Sequence, residues 1–313
     1  MSELSQIEAI QSTCYDAYNT KKFCVFKNYY KDNFIFEFDK SKEIKKFLPL
    51  INRGTYCRYF IINNPIYGIL DIINNDEDVN IIVLGSGYET LFFNLVEKGY
   101  KKIKFYEFDF KEVLTKKSQH IKNSNKIQSM LNNIKNIDSE YNLISGDITD
   151  IQKLTNEINK IKKNNLTILI GECLFTYIEN SMTAKIIKLF YDYFENLVLL
   201  QYDLINSDDL FGSEMIKNLS YRNINLIGLK TCKDLQAQKT RNLECGFKEK
   251  DIHFHDMLYV YNKLLSDQER ARINSLEMMD EFEEFNLLLS HACFGYSYKL
   301  EEKYSKITEV LNV

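Results

Sequence analysis

A chain of 313 residues with 45% hydrophobic and 27% charged residues is long enough for one large α/β domain, and its balance is that of a globular protein. The net charge of −4 argues against a duplex-binding surface, which needs clustered Lys and Arg to displace counterions, so Lys101-Lys102 with Lys104 reads as a solvated turn and no nucleic-acid partner is expected. Met1 to Glu8 is polar and acidic, no apolar run approaches a membrane span, and the seven cysteines form no C-x-x-C pair; a cytoplasmic protein with free thiols and no bound metal is expected.

Helical spacing opens the chain. Residues 3–19 and 43–50 read as helices, and a third fits 55–73, where Tyr59, Ile62, Ile66, Ile69 and Ile73 recur on one face. Residues 1–75 are expected to form a helical lid. A strand–helix alternation follows over residues 79–206. The strands are 81–84, ending in Gly85-Ser86-Gly87, then 103–108, 142–145, 166–170 and 197–200. The helices between them start near 91, 111, 151 and 182. Alternation of this kind implies right-handed crossovers and a parallel sheet. Residues 207–244 read as a mostly helical insertion after strand five. Two late strands, 247–255 and 292–298, with helices near 256–264 and 275–290, complete a single domain with a doubly wound, mostly parallel sheet of about seven strands.

Ligands of open parallel sheets bind at the carboxyl ends of the strands. Here four successive strand ends carry glycines or acids: Gly85 and Gly87, Glu107 and Asp109, Asp147, then Glu172. Together they describe a nucleoside pocket. The run Gly85-Ser86-Gly87-Tyr88-Glu89-Thr90 lacks the third glycine of a dinucleotide loop, and Glu89, expected in the first helical turn, occupies the field that would attract a phosphate. That favours S-adenosylmethionine, which has no phosphate, over a nicotinamide dinucleotide, without deciding between methyltransferase and oxidoreductase. His253 and His255 lack a nearby third ligand and read as solvated or core residues. Cys173 has no neighbouring His and reads as a structural thiol. The acidic stretch Glu277 to Glu284 reads as an amphipathic helix with solvated charges.

The segment Asn52-Arg53-Gly54-Thr55-Tyr56-Cys57-Arg58 resembles the N-R-G-x-x-x-R element of the leucine carboxyl methyltransferase family. In the same order follow Leu84-Gly85-Ser86-Gly87 with Glu89-Thr90, Tyr106 to Phe110, Gly146-Asp147, and Gly171-Glu172-Cys173 with Tyr177. Later blocks are Asp209 to Gly212 with Met215-Ile216, Thr231-Cys232-Lys233 through Gln238-Lys239, and Ser275-Leu276-Glu277 with Asp280-Glu281. The resemblance spans about Lys21 to Lys299. It implies a Rossmann-like class I methyltransferase that uses S-adenosylmethionine and esterifies the C-terminal leucine carboxylate of a type 2A protein phosphatase catalytic subunit. It also implies roles. Arg58 would grip the cofactor's methionyl carboxylate, with Lys21 (or its neighbour Lys22) reaching the same region. Gly85 and Gly87 would let the cofactor lie on the backbone. Asp109 would bind the ribose, Asp147 and Ile148 the adenine, and Glu172 the amino end of the methionine. Tyr177 would wall the incoming peptide tail, and no catalytic acid or base is implied. A carboxyl O-methyltransferase acting on a small molecule or a tRNA base is the alternative; the tRNA-modifying relatives carry a large C-terminal β-propeller, whereas this chain ends about a dozen residues past its last expected strand.

Overall fold

The computed structural model describes residues 3–39 and 43–312. Helices α1 (Glu3–Phe26) and α2 (Pro49–Ile73) precede the sheet. Then follow β1 (Val79–Leu84), α3 (Leu91–Glu97), β2 (Ile103–Asp109), α4 (Lys111–Asn123), α5 (Asn125–Asn133), β3 (Glu140–Ser145), α6 (Ile151–Ile158), β4 (Leu166–Glu172), α7 (Asn180–Tyr193) and β5 (Asn196–Leu204). The last third comprises α8 (Leu210–Ser220), α9 (Leu235–Glu244), β6 (Ile252–Asp256), α10 (Met257–Tyr259, running into a π-turn), α11 (Asp267–Leu276), α12 (Phe282–Ser290), β7 (Ala292–Lys299) and α13 (Ile307–Leu311).

The sheet has the order β3-β2-β1-β4-β5-β7-β6, parallel except where β7 runs between β5 and β6. It is the seven-stranded, mostly parallel sheet that the alternation predicts. Strand period two divides the core between its faces. Ile81, Val83, Ile168, Ile170, Val198 and Leu200 pack on the side of α2 and α3, and Ile82, Leu84, Leu169, Leu197 and Leu199 on the side of α6 and α7.

Three expectations about elements are corrected. Of the expected helix 43–50, residues 43–48 are not helical, and Pro49 and Leu50 belong to the start of α2. The reason is Pro49, which takes the first helical position of α2 and drives Leu48 into an extended conformation at φ −67°, ψ 151°. The expected helix 275–290 is broken between α11 and α12. The Glu277 carbonyl, which a helix would spend on residue 281, accepts instead from Arg53 at 2.9 Å. Nor is Glu277 solvated: its carboxylate takes Asn52 at 2.7 Å, Tyr29 at 3.1 Å and Lys27 at 3.1 Å. Asn52 and Arg53 thus bolt the lid to the C-terminal segment. Third, the 207–244 insertion is helical only at α8 and α9. Its middle closes a small apolar cluster, with Ile224, Leu226 and Leu229 packed on Tyr177 and Leu219.

Candidate cofactor and substrate pocket

The carboxyl ends of β1, β2, β4 and β5 open into a cavity of about 580 Å³, roofed by α1 and the start of α2 and walled by α8 and α12. Three elements far apart in the chain meet there through charge. Arg58 Nε of α2 lies 2.5 Å from one oxygen of Glu172, the last residue of β4, and Lys21 Nζ of α1 lies 2.9 Å from the other. Lys21 also reaches Glu89 at 3.1 Å, and the Arg58 guanidinium sits 4.8 Å from the centre of the Tyr202 ring. Burial alone would push the Glu172 carboxyl up, but Arg58 and Lys21 outweigh it and hold it at about 2. Two cations and two carboxylates cancel. A zwitterion can therefore trade each internal pair for a pair with itself and bury no net charge. Lys22, the neighbour weighed against Lys21, is turned away into an ion pair with Asp39 at 2.7 Å.

The glycine loop is set by backbone conformation. Gly85 and Gly87 adopt φ +64° and +50°, the left-handed region that a side chain resists. A Cβ on Gly85 would also stand 2.8 Å from Leu174. Asp109 is buried at the end of β2, where its carboxylate accepts the Gly87 and Phe110 amides, each at 2.7 Å. Burial raises its pKa, and those two amides work against the rise. Each oxygen keeps a further lone pair for a ligand. Glu89 stands just before α3 rather than in its first turn, and its carboxylate caps the helix by accepting the Thr90 and Leu91 amides.

Glu107 is fully buried against Lys117 and the Tyr141 hydroxyl, so of the two acids ending β2 only Asp109 lines the cavity. Lys117 also donates to the Glu89 carbonyl at 2.8 Å, which braces the glycine loop from below. Sequence reading missed Lys117 because its partners are reached only through tertiary packing.

Lys21, Arg58, Gly85, Gly87, Asp109, Glu172 and Tyr177 share the cavity, whereas Asp147 and Ile148 border a separate shallow hollow with Phe108, Ile144 and Lys153. There the Asp147 carboxylate turns back on its own loop, accepting the Thr149 amide at 2.8 Å and its hydroxyl at 2.7 Å. Tyr177 lines the cavity together with Thr13 of α1 and Cys173. Cys173 holds φ +55°, and burial lifts its thiol to about 11; the Cys14 thiol on the opposite wall is lifted to about 12, also by burial. His253 and His255 lie on β6 and stack on Tyr298 and Tyr259.

A family model described as leucine carboxyl methyltransferase matches residues 9–190. The chain is 31% identical to the leucine carboxyl methyltransferase 1 homolog of Arabidopsis thaliana, over 92% of this chain and 89% of that protein. It is 28% identical to tRNA wybutosine-synthesizing protein 4 of Rattus norvegicus, over 78% of this chain but 37% of that protein. A solved structure from Thermobifida fusca YX, provisionally named a methyltransferase, aligns over 81% of this chain and 84% of its own with a TM-score of 0.51 at 11% identity, a likeness of fold alone.

Proposed function

The chain belongs to the leucine carboxyl methyltransferase family, and on that premise we propose that it methylates the α-carboxylate of the C-terminal leucine of a type 2A protein phosphatase catalytic subunit. Membership makes it a methyltransferase dependent on S-adenosylmethionine, which when bound supplies an electrophilic sulfonium methyl group. The observation that carries the reading is the charge-balanced cluster of Lys21, Arg58, Glu89 and Glu172, closed by the lid over the strand ends. It suits the amino-acid end of that cofactor, a carboxylate and an ammonium side by side.

In this reading Arg58 holds the methionyl carboxylate with the fork that its Nε contact leaves free, and Lys21 supports it. Glu172 holds the ammonium. Gly85 and Gly87 offer backbone, Asp109 takes the ribose hydroxyls, and the adenine extends beyond the cavity into the hollow that Asp147 and Ile148 border. Tyr177 walls the peptide tail.

A terminal carboxylate titrates near 3.5 and is ionised at neutral pH, so no residue need act as a base. What the chain supplies is alignment and the removal of water, for which α1 and α2 form the roof. Cys14 and Cys173 stay protonated at neutral pH and do not compete for the methyl group.

The test is a methyl-transfer assay on purified phosphatase catalytic subunit with and without its terminal leucine. A base-labile methyl ester that forms only on the intact tail is expected. Base-stable methylation of a Lys or Arg, or labelling that survives loss of the leucine, overturns the proposal.

A further inference from the structure

The Thr231-Cys232-Lys233 to Gln238-Lys239 block has no place in the cofactor pocket, yet its helix α9 buries Gln238, Arg241 and Asn242 behind the sheet. A buried guanidinium is costly unless its donors are used. Arg241 spends its two terminal nitrogens on Gln238 Oε1, Cys232 Sγ at 3.4 Å and Asn180 Oδ1 at 3.4 Å, while its Nε has no hydrogen-bond partner among the described residues. Its guanidinium lies 5.4 Å from the centre of the Phe175 ring. That ring is also wedged against Gly171, where an added Cβ would come within 2.5 Å of it.

Phe175 opens the short turn Phe175–Tyr177, and every residue of that turn is restrained. Asp203, fully buried on β5, accepts the Thr176 amide at 3.1 Å through Oδ1, while its Oδ2 has no hydrogen-bond partner among the described residues. From the insertion, the Gly228 amide donates to the Thr176 carbonyl at 3.1 Å. Only a glycine fits there, since a Cβ would stand 2.1 Å from the Phe175 carbonyl oxygen. The side chain this turn delivers to the cavity is Tyr177, which lines it together with Thr13 of α1 and packs on the cluster of Ile224, Leu226 and Leu229.

We propose that Arg241 is a positioning residue for the protein substrate: stacked on Phe175, and with Asp203 and Gly228, it holds the turn that sets Tyr177 as the wall of the peptide channel. The inference rests on the reading of Tyr177 as that wall. Arg241 does not line the cavity and acts only through the turn.

The experiment compares Arg241→Met, Arg241→Lys, Tyr177→Ala and the double variant Arg241→Met/Tyr177→Ala. S-adenosylmethionine binding is read by calorimetry, and kcat and KM are read on the phosphatase catalytic subunit. Arg241→Met should bind cofactor within about twofold of the parent and lose about tenfold or more in kcat/KM for the protein substrate. Arg241→Lys, which keeps the charge and loses the planar stack, should fall between them. The double variant should be no worse than Tyr177→Ala alone, because both act through one wall. Without any substrate, hydrogen exchange at the Phe175–Ile178 amides should be faster in Arg241→Met while Ser86–Glu89 stays as in the parent. If Arg241→Met does not fold, Gln238→Met, which removes the guanidinium's acceptor, is read the same way.

An impaired Tyr177→Ala beside an unimpaired Arg241→Met overturns the proposal and leaves the wall reading standing. So does an Arg241→Met that weakens cofactor binding and protein turnover equally. Full activity of Tyr177→Ala removes the wall reading, and the proposal with it. If the parent does not label the phosphatase at all, the substrate reading fails and unchanged exchange at the turn overturns the proposal independently.

Discussion

Glu172 and Asp203 leave adjacent parallel strands at the same edge of the sheet, Glu172 paired in register with Tyr202, one residue short of Asp203. Burial pushes both carboxyls up, yet Glu172 is held at about 2 and Asp203 stands at about 7. Glu172 faces the lid, where two cations touch it at 2.5 and 2.9 Å. Asp203 faces the insertion, where Arg241 is its strongest opposing charge but gives its hydrogen bonds to Gln238, Cys232 and Asn180. Contact, not depth, separates them. The lid side is a closed ionic lock that a zwitterion can enter; the insertion side is a scaffold that holds a turn in shape, its Arg241 hydrogen-bonded to neutral partners.

The largest effect that would break this comparison is removal of the lock. Glu172→Ala leaves Arg58 without its carboxylate and Lys21 with Glu89 alone, a change for which the cost of fully buried pairs in other proteins, on the order of 3–5 kcal/mol, is the upper bound. Cofactor affinity should fall by at least about a hundredfold in calorimetric titration, and Arg58→Lys should be severely impaired because a point charge does not replace a planar fork. If Asp203→Asn costs as much affinity as Glu172→Ala, the contrast between the two strand ends is wrong. The lock also has a pH signature. The folded pKa of Glu172 lies below the ordinary glutamate value of 4.5, so its contribution is present above about 4.5 and is lost as pH falls toward about 2. In acid titrations followed by circular dichroism, the parent's stability should drop across that window, and Glu172→Gln should lack that part of the drop.

The next effect sharpens the assignment of the lid side. Asp109 ties the Gly87 amide and has lone pairs left for two hydroxyls; charge-assisted bonds of this kind are worth roughly 1.5–3 kcal/mol each. Asp109→Ala should weaken cofactor binding at least about tenfold and keep the fold. Glu107→Ala, which strands the fully buried Lys117, should instead lower the melting temperature. The opposite pattern would move the ribose site to Glu107, two residues back.

A smaller effect is expected on the insertion side. The folded pKa of Asp203, about 7, lies above the ordinary aspartate value of 3.8, so the fold retains a proton that the unfolded chain releases. Stability attributable to this group is therefore complete below about 4, declines as pH rises toward about 7 and stays lower beyond. Asparagine mimics the protonated form. By scanning calorimetry, Asp203→Asn should melt a few degrees above the parent near pH 8 and match it near pH 4. A variant less stable than the parent at pH 8 would mean that the ionised carboxylate is well compensated by Arg241 after all.

The strand ends of the cofactor side were legible because strand period and the glycines at 85 and 87 are local signals, and they place Asp109 and Glu172 at one edge. The roles of Arg58 and Lys21 came from the family resemblance; neither helix spacing nor composition distinguishes them from solvated cations. What stayed hidden depends on partners distant in sequence. Glu277 looked solvated because Asn52 and Arg53, which bury it, lie 225 and 224 residues away. Arg241 was hidden for the same reason, since Phe175 gives no local sign of an α9 partner. The failed helix at 43–48 is a different case: Pro49 was visible, and its effect on the preceding residue was readable from the sequence.

The smallest expected effect bears on the chemistry. If the nucleophile is a carboxylate already ionised near pH 6, no enzyme group need titrate for the methyl group to move. With both substrates saturating, single-turnover transfer should vary less than about twofold between pH 6 and 8. Replacing His120, His253, His255 or His291 singly by Asn should leave that profile flat. His291 is the informative case, since it borders the cavity while both ring nitrogens face acceptors, the Leu287 carbonyl and the Asp209 carboxylate. A steep profile that vanishes in one histidine variant would mean that a base is at work and that the substrate is not a free carboxylate. A shallow slope that survives every histidine variant but disappears in Asp203→Asn would have another origin: ionisation behind the Phe175–Tyr177 turn shifting the substrate wall. That outcome would extend the contrast between Glu172 and Asp203 from stability to turnover.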